Sequence, residues 1–233
     1  MTAARPGAFA AARCAVLVAA VGVTMAGCGG DDDNGIAGLS AAEILTETQE
    51  AAEAAESLRV EGAVSDEGSE FSISMELTAD SSTGTLSAEG ISFELLSVGD
   101  DLYMRADADA WTTMAGDPGA GALLADRYVL VPPGDTSFDS FADFGGLDNF
   151  TESVLTPVGS VTKGDETEVN GEPAIGLVSS EGGVMYIATT GDPLPVRLDP
   201  PEGQTGGLDF EWDVSVDIEA PDEDDIVDLS SIL

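Results

Sequence analysis

Near its C-terminal end the chain alternates without a break, with Leu208, Phe210, Trp212, Val214, Val216 and Ile218 interleaved with Asp209, Glu211, Asp213, Ser215, Asp217 and Glu219. Successive residues of a strand point to opposite faces. This stretch therefore predicts a strand with one apolar side and one almost wholly anionic side, about 40 Å long at 3.4 Å per residue. A strand of that kind is stable only in a sheet with one face covered and the other in water, which is the antiparallel case. Its length implies a wide, curved sheet.

The same period of two runs through much of the chain. Leu58, Val60 and Gly62 alternate with Arg59 and Glu61, and Phe71, Ile73, Met75 and Leu77 with Ser72, Ser74, Glu76 and Thr78. Residues 85–89, 91–98 and 102–105 continue the series. Short turns separate them, one over Ser81, Ser82, Thr83 and Gly84 and one at Gly99 and Asp100, as in a meander. After a different middle, strands resume at 158–162, 167–169, 174–179, 184–189 and 196–199. Asn170-Gly171 marks a type I′ hairpin, whose central positions both need positive φ.

Two segments read as helical. Ser40 followed by Glu43 is a capping box, and Ala41, Ile44, Leu45, Thr48, Ala51, Ala52 and Ala55 then recur near a period of 3.6. Glu43, Glu47, Glu50 and Glu53 face away, giving one amphipathic helix of about 17 residues. The middle, 111–149, carries Pro and Gly breaks and short helical candidates at 120–125, 138–144 and 147–154. Phe138, Phe141 and Phe144 share a helical face expected to cover the open side of the sheet.

Charge narrows the function. The 233 residues hold 45 Asp and Glu against seven Lys and Arg, with no His. Such a field repels phosphate backbones, so no nucleic-acid partner is expected. The acidic residues read as solvated faces, a composition that suits high salt, where screening weakens their repulsion. Without histidine, and with Cys14 and Cys28 the two cysteines, the usual nucleophile–base pairs and transition-metal sites are missing. No catalytic residue, metal or cofactor is expected, and an enzyme would need two carboxyl groups converging in a cleft.

The N-terminus fixes the compartment. Arg5 and Arg13 precede an apolar run over 14–27 that is too short to span a bilayer, which takes about 20 residues; this is the layout of a secretory signal. Met25-Ala26-Gly27-Cys28 resembles the lipobox of bacterial lipoproteins. That resemblance implies cleavage between Gly27 and Cys28, acylation of the Cys28 thiol, and a protein held on the extracytoplasmic face of the cell membrane. Two acyl chains make a stable anchor where one does not. The expected organisation is a signal peptide at 1–27, an acylated, acidic, flexible tether at 28–39, and one domain at 40–233.

The order of elements carries a second resemblance. A helix after a lipobox, a meander, a helical middle, then Val169-Asn170-Gly171-Glu172-Pro173-Ala174, a segment from Met185 through Gly191 to Arg197, and a closing Val227-Asp228-Leu229 together resemble the actinobacterial LppX/LprG-type lipoproteins of the LolA-like superfamily. The similarity covers roughly residues 40–233. It implies an α+β fold in which a strongly curved antiparallel sheet, a half-barrel, wraps over a few helices and encloses a hydrophobic cavity. Members bind lipid or acylated glycolipid there and are linked to its movement across the envelope, with envelope transport proteins as partners.

The residues expected to line that cavity are Phe71, Ile73, Met75, Leu77, Phe93, Leu95, Phe210 and Trp212, each of which serves equally as core. The function expected is a membrane-anchored lipid carrier or chaperone. The alternative is a non-carrier surface lipoprotein, a structural, interaction or sensor module whose sheet is filled by its own side chains.

Overall fold

Local chemistry sets where the first helix begins. The Ser40 hydroxyl accepts from the Glu43 amide at 3.4 Å, and the Glu43 carboxylate accepts from the Ser40 amide at 2.9 Å, closing the capping box that starts α1 (Ala41–Ala54). The Ser40 hydroxyl also donates to that carboxylate at 2.7 Å and, with the Ser40 amide, holds the Glu43 carboxyl below the usual range. Ile44, Thr48 and Ala52 form the buried stripe. The helix is shorter than its periodicity suggests because the Glu56 amide donates to Asp213 and Ser57 enters the first strand.

The computed structural model describes residues 33–132, 138, 141 and 143–228. The first meander comprises β1 (Ser57–Asp66), β2 (Ser69–Thr78), β3 (Ser81–Ala88), β4 (Ile91–Val98) and β5 (Asp101–Arg105). Helices α2 (Ala108–Ala115) and α3 (Pro118–Leu124), strand β6 (Tyr128–Leu130) and α4 (Leu147–Leu155) follow. The second meander is β7 (Val161–Val169), β8 (Glu172–Ser179), β9 (Val184–Ala188), β10 (Pro195–Asp199) and β11 (Thr205–Trp212), and β12 (Ile226–Asp228) completes the set. These twelve described strands form one sheet in the order β12-β6-β5-β4-β3-β2-β1-β11-β10-β9-β8-β7. Only β12 and β6 pair in parallel. The sheet is curved and does not close, so the α+β, LolA-like architecture expected from the sequence is the one observed.

Several boundaries differ from the sequence pattern. Residues 81–84, expected as a turn, belong to β3, and the chain reverses at Ala79 and Asp80 instead. Gly84 is the reason a strand fits there: a Cβ at this position would lie 2.1 Å from the Ser74 carbonyl and 2.6 Å from the Met75 Cα. The long terminal strand stops at Trp212. Its partner β1 begins at Ser57, and Asp213 takes φ 53°, turning the chain out of the ladder. Helix α2 and strand β6 had no counterpart in the periodicity, and of the segment 138–144 only Phe138, Phe141, Asp143 and Phe144 are described.

Two apolar clusters occupy the inner face. The larger joins Leu58, Val60, Met75, Leu77, Leu95, Met104 and Val129 of the strands to Trp111, Leu124, Leu147 and Phe150 of α2, α3 and α4, with Phe138, Phe141 and Phe144 packed against it. The smaller joins Ile175, Leu177 and Ile187 of β8 and β9 to Ile44 of α1. On the outer face Arg59 bridges strands, reaching Glu76 and Glu211 at 2.8 Å. Arg197 does the same with Asp199 and Asp209.

Glycines crowd the line where β11 meets β1. Gly206 has φ 101°, and a Cβ there would sit 1.9 Å from the Ala63 carbonyl oxygen. Only glycine relieves both the backbone strain and the contact. Replacing Gly206 by Ala is expected to cost at least about 2 kcal/mol, combining left-handed strain with the clash, read as a lower midpoint of urea unfolding. Gly171→Ala, in an open turn, should cost less.

Candidate functional site

The chain does not run free up to the helix. Asp33 pairs with Thr190, and the Asn34 side chain donates to the carbonyls of Ala188 at 3.0 Å and Gly191 at 3.1 Å. A single 3₁₀ turn, Ile36–Gly38, then places Ile36, only 3% exposed, in the smaller apolar cluster. Lys163 of β7 closes over this segment, its Nζ donating to the carbonyls of Ala37 and Leu39, both at 2.9 Å. The expectation of a flexible tether through residue 39 is thus corrected for 33–39: Asn34 supplies hydrogen bonds and Ile36 apolar burial that solvated linkers lack. Gly27, Cys28 and the rest of 1–32 lie outside the described residues.

With the N-terminal segment in place, α1 crosses the inner face of β8 and β9 and meets α4, where the Gln49 amide donates to the Leu155 carbonyl at 3.1 Å. Between these helices and the strands lies an apolar cavity of about 350 Å³. Leu45 of α1, Val154 and Leu155 of α4, Val161 of β7, Leu177 of β8, Met185 of β9 and Leu198 of β10 line it, and the exposed lining residues Ser153, Thr156, Pro157, Val158 and Glu181, with the half-buried Gly183 and Pro201 beside them, mark the open side taken as its mouth. The cavity sits at the seam of the two clusters: Val154 and Leu198 pack with the larger, Leu45, Leu177 and Met185 with the smaller. Val158 is 74% exposed, an apolar side chain left in water. A larger cleft of about 660 Å³ between α1 and α4 carries Glu53, Asp148 and Glu152 and is too polar for the same role.

None of the eight residues singled out from alternation lines this cavity. Ile73, Met75, Leu77, Leu95 and Phe210 are buried core, Phe93 and Trp212 pack against that core, and Phe71 lies exposed near a strand end. Phe93 stacks edge-on against Trp111 at 6.2 Å and Phe141 at 6.1 Å, and the Trp212 indole donates to the Pro195 carbonyl at 2.7 Å. The first half of the sheet is filled because α2, α3 and the phenylalanine segment cover it. Among the described residues the second half is covered by the 3₁₀ turn at Ile36, α1 and the end of α4. Alternation reports which face is buried and says nothing of what covers it, so Leu45, Val161, Leu177, Met185 and Leu198 could not be separated from core by pattern.

An open, curved antiparallel sheet with helices on its inner face is the LppX/LprG-type fold expected from the sequence. The chain is similar to LprF from Mycobacterium bovis, at 14% identity and a TM-score of 0.52 over 78% of this chain and 96% of that one. It also aligns with the Mycobacterium tuberculosis lipoprotein LppX at 12% identity and a TM-score of 0.47, over 76% of this chain and 99% of that one. An uncharacterized conserved protein from Thermus thermophilus aligns at 13% identity and 0.43, over 81% and 98%. At 14% identity the likeness to LprF is one of fold. No family model and no curated protein matches the sequence.

The clasp at Lys163 is open to test. Lys163→Met removes two charge-assisted hydrogen bonds, each of which stabilises by roughly 1.5–3 kcal/mol at best. Amide exchange at Asn34, Gly38 and Leu39 is expected to quicken about tenfold, while β1–β5 exchange is unchanged.

Proposed function

We infer that this protein is an envelope lipoprotein, anchored through an acylated Cys28 on the extracytoplasmic face of the cell membrane, which takes an acyl chain of lipid or glycolipid into the cavity at the seam. The observation that carries the reading is that apolar hollow. Its volume falls at the low end of the range for small-molecule sites, roughly 300–1,000 Å³, which suits a single chain better than a bundle. An acyl chain gains about 0.8 kcal/mol for each CH₂ withdrawn from water. A largely apolar hollow therefore needs no directional polar contact to hold one. The lipobox, the secretory signal and the fold shared with LprF all support the same placement.

The test is native extraction. Protein produced from residue 28 onward with Cys28→Ser and recovered without detergent is expected to carry acyl lipid visible by mass spectrometry. Leu45→Trp, which places an indole in the hollow from a half-buried helix position, is expected to weaken fatty-acid binding about tenfold or more, some 1.4 kcal/mol. Protein that is repeatedly empty, and whose binding of a fluorescent fatty acid is insensitive to Leu45→Trp, would instead support a non-carrier surface module.

A further inference from the structure

The docked N-terminal segment fixes more than the start of the domain. The chain enters at Asp33, paired with Thr190. Thr190 belongs to the connection between β9 and β10, which shares one end of the sheet with the Asn170–Gly171 turn, since the Thr189 amide donates to the Pro173 carbonyl at 2.9 Å. The mouth residues Glu181 and Gly183, in the β8–β9 turn, and Pro201, in the β10–β11 connection, belong to the opposite end. From Thr190 back along β9 to Gly183 is seven residues, about 23 Å at 3.3 Å per residue. Exposed Phe71, which pairs with Val64 and Ala88 beside the β1–β2 and β3–β4 turns, marks the same far end as exposed Val158.

Five residue steps separate Cys28 from Asp33. Even fully extended they reach at most about 18 Å. An anchor at Cys28 therefore holds the Thr190 end within that distance of the bilayer, while the mouth lies a further strand length away. Charge sets the tilt. Once the signal with Arg5 and Arg13 is removed, five basic residues stand against 45 acidic ones. All five are already engaged: Arg59, Arg105 and Arg197 with carboxylates, Lys163 with the carbonyls of 37 and 39, and Arg127 with those of Asp224 and Ile226. Anionic headgroups repel such a body. A body tied at one end lowers that repulsion by swinging its free end beyond the screening length, about 8 Å at physiological salt.

We propose that the domain stands on its membrane by the Thr190 end of the sheet with the cavity mouth turned outward, so that cargo is exchanged with an acceptor beyond the anchoring membrane and not with that membrane's own outer leaflet. The orientation rests on the Cys28 anchor inferred above and is independent of which acyl lipid the cavity holds.

The experiment uses the full chain, acylated in cells and reconstituted into vesicles of phosphatidylethanolamine and phosphatidylglycerol bearing a nitroxide on the headgroup. Acylation consumes the Cys28 thiol, so one added cysteine takes a fluorophore uniquely: Asp192→Cys beside Thr190, or Glu202→Cys beside Pro201, both exposed positions. Flotation reports the anchor and quenching reports the orientation. Protein that floats with the vesicles and is quenched at least threefold more at 192 than at 202 supports the proposal. Floating protein quenched equally at both positions, or more at 202, overturns the orientation and leaves the anchor standing. Protein that fails to float removes the anchor, and the orientation falls with it.

Discussion

The sheet offers more apolar inner surface than its helices cover, and the hollow follows from that shortfall. Twelve strands present one continuous wall. Over β1–β6, α2, α3 and the phenylalanines at 138, 141 and 144 interdigitate with the strand side chains, and Met75, Leu77, Leu95 and Met104 are fully buried. Over β7–β10 the cover is one helix with a narrow stripe, Ile44, Thr48 and Ala52, together with Ile36. Packed interiors tolerate few voids wider than a water molecule, and this gap, with its apolar lining, opens directly beside a core that is filled.

Charge has a structural side as well as a repulsive one. The cations join separate elements: Arg59 ties β2 and β11 to β1, Arg105 reaches Glu94 and lies over the Tyr128 ring, Arg197 ties β10 to β11, and Lys163 fastens the N-terminal segment to β7. Exposed pairs of this kind add little stability singly. Their value is in placement, because in a chain so short of cations each one selects a particular neighbour among many carboxylates. The edge strand β7 carries Lys163, Asp165, Glu166 and Glu168, which discourages pairing with another sheet. The acidic outer face and the charged edge leave the exposed apolar positions Phe71 and Val158 at the end away from Asp33.

Much of this was legible from residue order. The capping box at Ser40, the Asn170-Gly171 turn with φ 53° and 88°, and the alternation of β1, β2 and β11 follow from side-chain chemistry acting over a few residues. What local pattern could not show was pairing. Val214, Val216 and Ile218 continue the alternation of β11 yet have no ladder, because β1 begins too late to meet them. The Ser81–Gly84 segment looks like a turn until Met75 is placed beside Gly84. The site suffered most, since Ile73 and Leu177 are indistinguishable as alternating apolar residues and differ only in what lies over them. The fastening of Asp33 to Leu39 was hidden for the same reason: its partners, Thr190 and Lys163, are more than a hundred residues away.

The most direct measurement is methyl NMR of the protein with a stearic acid that carries a nitroxide near its methyl end. If the uncovered half of the sheet is the binding wall, the methyl signals of Leu45, Val154, Leu177, Met185 and Leu198 broaden on addition of the spin-labelled chain, while those of Ile73, Met75, Leu77 and Leu95 keep their width. Broadening centred on Ile73, Met75 and Leu95, or an even loss of signal across both clusters, would show that the chain does not enter at the seam.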